Sequence, residues 1–132
     1  MKLAIHNGKD KAVSWNTDWM DICNKRGIDY LGVNCYDPSI ISVLKNEGIT
    51  HLMWSFSLQF SKDDLMARSV LNSVEKMGIK VFPNFNTSWH FEDKLAQKYW
   101  LESLDAPVVT SWAFFDMSSA TNFLENIEYP SS

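Results

Sequence analysis

Short apolar runs alternate with helix-patterned segments through the first two-thirds of the chain, and this alternation most constrains what it can fold into. The runs are residues 2–6, 29–36, 50–57 and 80–84, each too short for a buried helix and rich in large apolar side chains. Between them lie three helical patterns. The first opens at Asn16 or Thr17 as N-cap, carries Trp15, Trp19, Ile22 and Cys23 at helical spacing, and stops at Gly27. The second starts from Asp37-Pro38, runs through Leu44 and stops at Gly48. In the third, Ser61, Asp63 and Asp64 form a helix start suited to the macrodipole. A stripe of Ala67, Val70, Leu71, Val74 and Met77 comes next, and Gly78 closes it. Strands alternating with helices predict an α/β fold. A mostly parallel four-stranded sheet is covered on both faces by helices, making three layers joined by right-handed crossovers.

After Asn86 the pattern changes. Residues 91–104 read as a helix bearing Asp93, Lys94, Gln97 and Lys98, and residues 107–115 as an extended β-branched and aromatic strand. A last helix is capped by Ser118 or Ser119 and turns Ala120, Phe123, Leu124 and Ile127 towards a core. The division this implies is residues 1–88 and 89–132. A chain of 132 residues that is 45% hydrophobic and 21% charged belongs to the globular class. Its net charge of −4 argues against nucleic acid or an anionic membrane as partner, since both select basic surfaces. There is no apolar run of membrane-spanning length and no signal-peptide pattern, so the expectation is a cytoplasmic protein. Two cysteines, Cys23 and Cys35, are too few for a disulfide framework and read as small buried hydrophobes.

In an open parallel sheet, ligands bind beyond the carboxyl ends of the strands. Those ends carry His6-Asn7-Gly8, Tyr36-Asp37, Ser55 to Ser57 and Asn84 to Asn86, a polar set suited to a small polar substrate. Several chemistries are excluded by motif. No G-x-G-x-x-G comes after the first strand, and there is no P-loop and no G-x-S-x-G elbow. The acidic residues of a phospho-acceptor receiver are replaced by His6-Asn7 and Ser55-Ser57. His6, His51 and His90 are scattered without acidic partners at metal-binding spacing.

The stretch N-F-N-T-S-W-H-F-E-D-K-L-A-Q-K-Y-W-L-E-S-L-D-A-P-V-V-T-S, residues 84–111, resembles the entry segment of ATP-grasp ligases. There an Asn-ended strand precedes a helix bearing D-K and then G-x-P-x-P-x-[ST]. With the opening A-I-H-N, the whole chain looks closest to bacterial ATP-grasp proteins of the carboxylate–amine ligase type. The resemblance implies a Rossmann-like pre-ATP-grasp domain over residues 1–88, then the first helix, strand and helix of an ATP-grasp subdomain over 89–132. It further implies ATP-dependent joining of a carboxylate to an amine or thiol through an acyl-phosphate. Lys94 matches the lysine such ligases direct at the nucleotide phosphates, where a compact positive charge offsets accumulating negative charge. His6, Asn7, Ser55, Ser57 and Asn86 become the candidate substrate contacts.

The sequence departs from the family pattern at Asp105, where glycine is usual. It also lacks the second phosphate-binding lysine, the glycine-rich loop and the magnesium carboxylates that come after a Tyr/Phe-Pro pair such as Tyr129-Pro130. The expectation is therefore the front portion of a ligase. ATP and Mg2+ belong to the longer protein, and this chain alone is inactive with neither tightly bound. Pairing of the apolar strand 108–115 with a second copy would make a homodimer. The alternative class is a non-enzymatic flavodoxin-like binding or dimerisation module with Lys94 merely on its surface, and a nucleotide-sugar-binding half-domain is a third option.

Overall fold

The computed structural model describes residues 1–8, 15–58 and 60–127, so the Tyr129-Pro130 pair lies outside the described residues. Two compact units make up the chain, Met1–Trp89 and a second beginning at His90.

The first unit holds β1 (Leu3–His6), α1 (Asn16–Arg26), β2 (Tyr30–Val33), α2 (Ile40–Asn46), β3 (His51–Met53), α3 (Ser61–Lys76), β4 (Lys80–Phe82) and the short α4 (Phe85–Ser88). Every strand pairing is parallel, in the order β2-β1-β3-β4. The expected α/β architecture is thus present, with strands shorter than the apolar runs suggested. The apolar character of residues 34–36 and 54–57 belongs to the turns beyond β2 and β3, where Cys35 and Trp54 are fully buried.

Alternation along β1 divides the core in two. Leu3 and Ile5 face α1 and gather Cys23, with Trp19, Met20, Tyr30 and Met53 packed around them. Ala4 faces the other way, into the larger cluster of Leu44, Leu52, Trp54, Leu71 and Val74 beneath α2 and α3. The two cysteines fall in different clusters on opposite faces of the sheet, where each serves as a small hydrophobe. The α3 stripe buries Ala67, Val70, Leu71 and Val74 as its spacing predicts.

On α1 the expected stripe is displaced. Trp15 and Ile22 are exposed, and the buried residues are Asn16 and Cys23. Asn16 is not the N-cap; Trp15 occupies that position without a side-chain hydrogen bond. The α2 helix starts at Ile40 rather than at Asp37-Pro38, because Asp37 Oδ1 accepts from the amide of Ser39 at 2.7 Å and its hydroxyl at 2.6 Å. That closed Asx turn holds residues 37–39 outside the helix.

All three long helices of this unit end alike, on a glycine with positive φ followed by isoleucine. The isoleucine amide bonds the carbonyl five residues back: Ile28 to Cys23 at 2.9 Å, Ile49 to Leu44 at 3.0 Å and Ile79 to Val74 at 3.3 Å. This is the Schellman pattern, and after α2 and α3 it buries the isoleucine, Ile49 and Ile79, as the chain enters the next strand, whereas Ile28 after α1 is exposed.

The second unit holds α5 (Lys94–Ser103) and α6 (Met117–Asn126). The predicted helix at 91–104 is shorter at its start because Asp93 is the N-cap, its side chain accepting from Ala96 N at 2.9 Å. Likewise α6 is capped by Asp116, which accepts from Ser119 N at 2.8 Å, and not by Ser118 or Ser119. Residues 107–114 form no strand. A strand exists through its ladder, and this segment has none; its composition is instead used in ring contacts, Trp112 and Phe114 each lying about 5 Å from Phe123 of α6 (5.0 and 5.1 Å). Among the described residues, no helix is long and apolar enough to cross a membrane.

Candidate functional site

Strand order fixes where the first unit can receive a ligand. From β1 the chain moves outward to β2, returns across to β3 and continues to β4, so the connections leave β1 and β3 in opposite directions. A crevice opens at such a switch point, beyond the carboxyl ends of the two strands. The residues there are His6, Asn7 and Gly8 after β1 and Trp54 to Ser57 after β3, so three of the predicted contacts, His6, Asn7 and Ser55, come to adjacent strand ends. Ser57 lies further along the same segment and is half-buried. Asn86 is exposed on α4, beyond β4, at the same end of the sheet.

His6 is fully buried. The Cys35 amide points at its Nδ1 from 3.0 Å and the Gly8 amide at its Nε2 from 3.1 Å. The ring meets Tyr36 edge-on at 5.4 Å between centroids and Trp54 at 5.2 Å. Tyr36 and Trp54 are themselves perpendicular at 5.2 Å, so the three rings form a closed triangle, with Phe56 against Trp54 at 5.9 Å. The Trp54 Nε1–H has no hydrogen-bond acceptor among the described residues. Ring faces are what this environment offers it. His6 is thus buried at the end of β1, with a main-chain amide facing each ring nitrogen.

Gly8 answers a steric demand. A Cβ there would lie 2.1 Å from His6 Nε2, so only glycine lets the chain cross the imidazole. Asn7 is exposed, with its amide continuing the ladder to Val33 O at 2.8 Å and its side chain lying over Gly32 of β2.

Ser55 is fixed by a residue read from sequence only as a helix cap. Asn16 Oδ1 accepts from Ser55 N at 2.7 Å while Asn16 Nδ2 donates to Ser55 O at 3.0 Å. The side-chain amide acts as a further strand for one residue, tying the start of α1 to the end of β3 across the switch point. A buried polar side chain at the first position of a helix is the signal that could have marked it, but only if its burial were known. Trp54 and Cys35 are the other residues of this site that the sequence reading did not place there, while Gly8 and Tyr36 stood in the strand-end set without a role.

In the second unit, Lys94 is the first residue of α5 and is exposed. Its ammonium donates to Gln97 Oε1 at 3.3 Å, and Gln97 in turn donates to His90 O at 3.1 Å. Lys98 is committed differently, to Glu102 at 2.8 Å. Lys94 is thus an exposed cation hydrogen-bonded to a neutral amide rather than to a carboxylate. For Mg2+, no group of three or more His, Cys, Asp or Glu side chains is gathered among the described residues. No residue of this chain is assigned to that ion. No family model, curated protein or solved structure matches the chain.

Proposed function

We propose that the chain is the front portion of an ATP-dependent carboxylate–amine (or thiol) ligase, its first unit serving the small-molecule substrate and Lys94 serving the nucleotide phosphates. The observation that carries the nucleotide side is the state of Lys94. It opens a helix directly after its Asp93 cap, and its Nζ is shared with the neutral Gln97 rather than with a carboxylate. Positive charge is what phosphoryl transfer requires of a protein, and a lysine bonded to a neutral amide supplies it with the smallest rearrangement.

Support for the substrate side comes from the polar residues at the switch point between β1 and β3. His6 and the Ser55 main chain are engaged internally, and Asn7 and Asn86 are the exposed candidates for substrate contact. ATP with Mg2+ would supply the activating phosphoryl group, turning the carboxylate into an acyl-phosphate for attack by the amine. Within the chain itself, the task is binding and orientation.

The test is an amide-shift titration of the 132-residue protein with Mg-ATP and, separately, adenosine. ATP is expected to shift the amides around residues 94–97, adenosine to leave them in place, and Lys94→Gln to weaken ATP binding roughly fivefold to tenfold. Lys98→Gln serves as the control and should change little. An ATP response indifferent to Lys94→Gln would overturn the assignment. The flavodoxin-like module remains the second reading, favoured by the strand order β2-β1-β3-β4, which is shared with flavodoxin-type sheets. It predicts ligand-induced shifts confined to the β1 and β3 ends, with the residue 94 region silent.

A further inference from the structure

We propose that residues 107–115 are the pairing edge of a homodimer, joining the same residues of a second copy as an antiparallel two-stranded ribbon. The inference goes beyond the ligase reading and does not rest on it. Among the described residues, the main-chain amides from Val109 to Phe115 donate to no other main-chain group, while that of Val108 is taken by Ala106 O at 2.8 Å. The segment is nevertheless laid out as a strand would be. Trp112 and Phe114, two residues apart, meet the single ring of Phe123 on α6, so alternate side chains share a face. A main chain open in this way is satisfied by a further strand, which alone repeats donors and acceptors at the same spacing.

Charge and hydrogen bonding select a second copy as that strand. Residues 106–115 carry no charge, so the edge lacks the lysines that keep strand edges apart, and Asp105 and Asp116 bound it. Parallel pairing in register would set each aspartate against its own counterpart. Antiparallel pairing centred on Ser111 sets Asp105 against Met117 and Asp116 against Ala106, and brings Val108 opposite Phe114, a favourable β-branched and aromatic pair. With Ser111 in a hydrogen-bonded pair, the amides of Val109, Ser111 and Ala113 turn to the partner, and all three are open. Val108, whose amide is already used, falls where N–H points away. The arrangement is reciprocal, so one ladder serves both copies, and the twofold axis leaves both α6 helices on the same face of the ribbon.

Sedimentation velocity and amide exchange of the 132-residue protein, from about 10 µM to about 1 mM, test this. The expected result is a species of twice the 15.2 kDa chain mass that gains population with concentration. Protection of the Val109, Ser111 and Ala113 amides should rise with it by about tenfold, while Thr110 and Trp112, whose amides face away, stay unprotected. Ser111→Pro removes the central donor, and Val109→Lys puts a charge into the ladder; each should return the protein to a monomer with its helix content unchanged by circular dichroism. If a variant fails to fold, the exchange pattern of the parent decides alone. The proposal is overturned by a monomer at every concentration, or by a dimer that persists in Ser111→Pro. Protection of the three amides that does not depend on concentration would overturn it too, since the segment would then be paired within its own chain.

Discussion

At the residue scale, two side chains hold the switch point by bonding main chain rather than ligand. One is His6; the other, Asn16, satisfies both main-chain groups of Ser55 from a buried position. Asn16→Ala leaves those groups without their partners and is expected to lower stability by about 1–3 kcal/mol, read by denaturant unfolding. Asn16→Asp should not rescue it, because a carboxylate cannot donate to Ser55 O. Gly8→Ala forces a methyl group against the His6 ring, and a loss of about 1–3 kcal/mol is expected, as for other overpacked sites. A Gly8→Ala protein as stable as the parent would show that the ring is not pinned beneath the turn. Neither role was legible beforehand. Asn16 reads as a cap and Gly8 only as one of the residues beyond the first strand, and the tertiary contacts that give them their roles do not show in local spacing.

At the scale of elements, stop signals were plain, while among the starts that of α3 at Ser61 fell where its residues put it and others did not. Gly27, Gly48 and Gly78 end helices as their positions predict, because a left-handed residue is a local requirement that glycine meets cheaply. The end of α5 repeats that geometry with Asp105 in the glycine position, at φ 51°, and Ala106 N bonding Leu101 O at 3.1 Å. Asp105→Gly removes the left-handed penalty and is expected to stabilise α5 by roughly 0.5–1 kcal/mol, measured as slower amide exchange in its last turn. Helix starts depended on which of several capable side chains reached the amides, and Asp93 and Asp116 did. The bonds to Asp116 from the Ser119 amide and then its hydroxyl hold the carboxyl below its ordinary value. A pKa depressed in the folded state stabilises α6 above the ordinary carboxylate range, and this contribution is lost as pH falls through the folded value. Carboxyl-carbon shifts of Asp116 and helicity of α6 should fall together below the range of a free aspartate. In Asp116→Asn that coupling should disappear, since the amide accepts at every pH.

Across the whole molecule, the two units differ in what they can bury. The first has a sheet filled on both faces, so residues 1–89 are expected to unfold cooperatively on their own. In the second, neither α5 nor α6 has a buried residue, and Val109 and Phe115 are 87% and 85% exposed. Residues 90–132 alone should show no cooperative transition by circular dichroism, since a unit this small lacks the buried surface to offset chain entropy. A sharp thermal transition from that fragment would refute the comparison.

Periodicity and local chemistry were enough to set the class of the fold, the succession of elements from β1 to β4, the α3 core stripe and the glycine stops, because each depends on neighbours within a turn or two. Strand order, and with it the choice of β1 and β3 as the edges of the crevice, came only with the tertiary structure. So did the burial of His6, the clasp of Asn16 on Ser55 and the failure of residues 107–114 to form a strand. Hydrogen-bond partners and ladder neighbours are set by which distant segments meet. The same histidine, asparagine or β-branched run can present itself to solvent, brace a loop or stay unpaired according to that meeting.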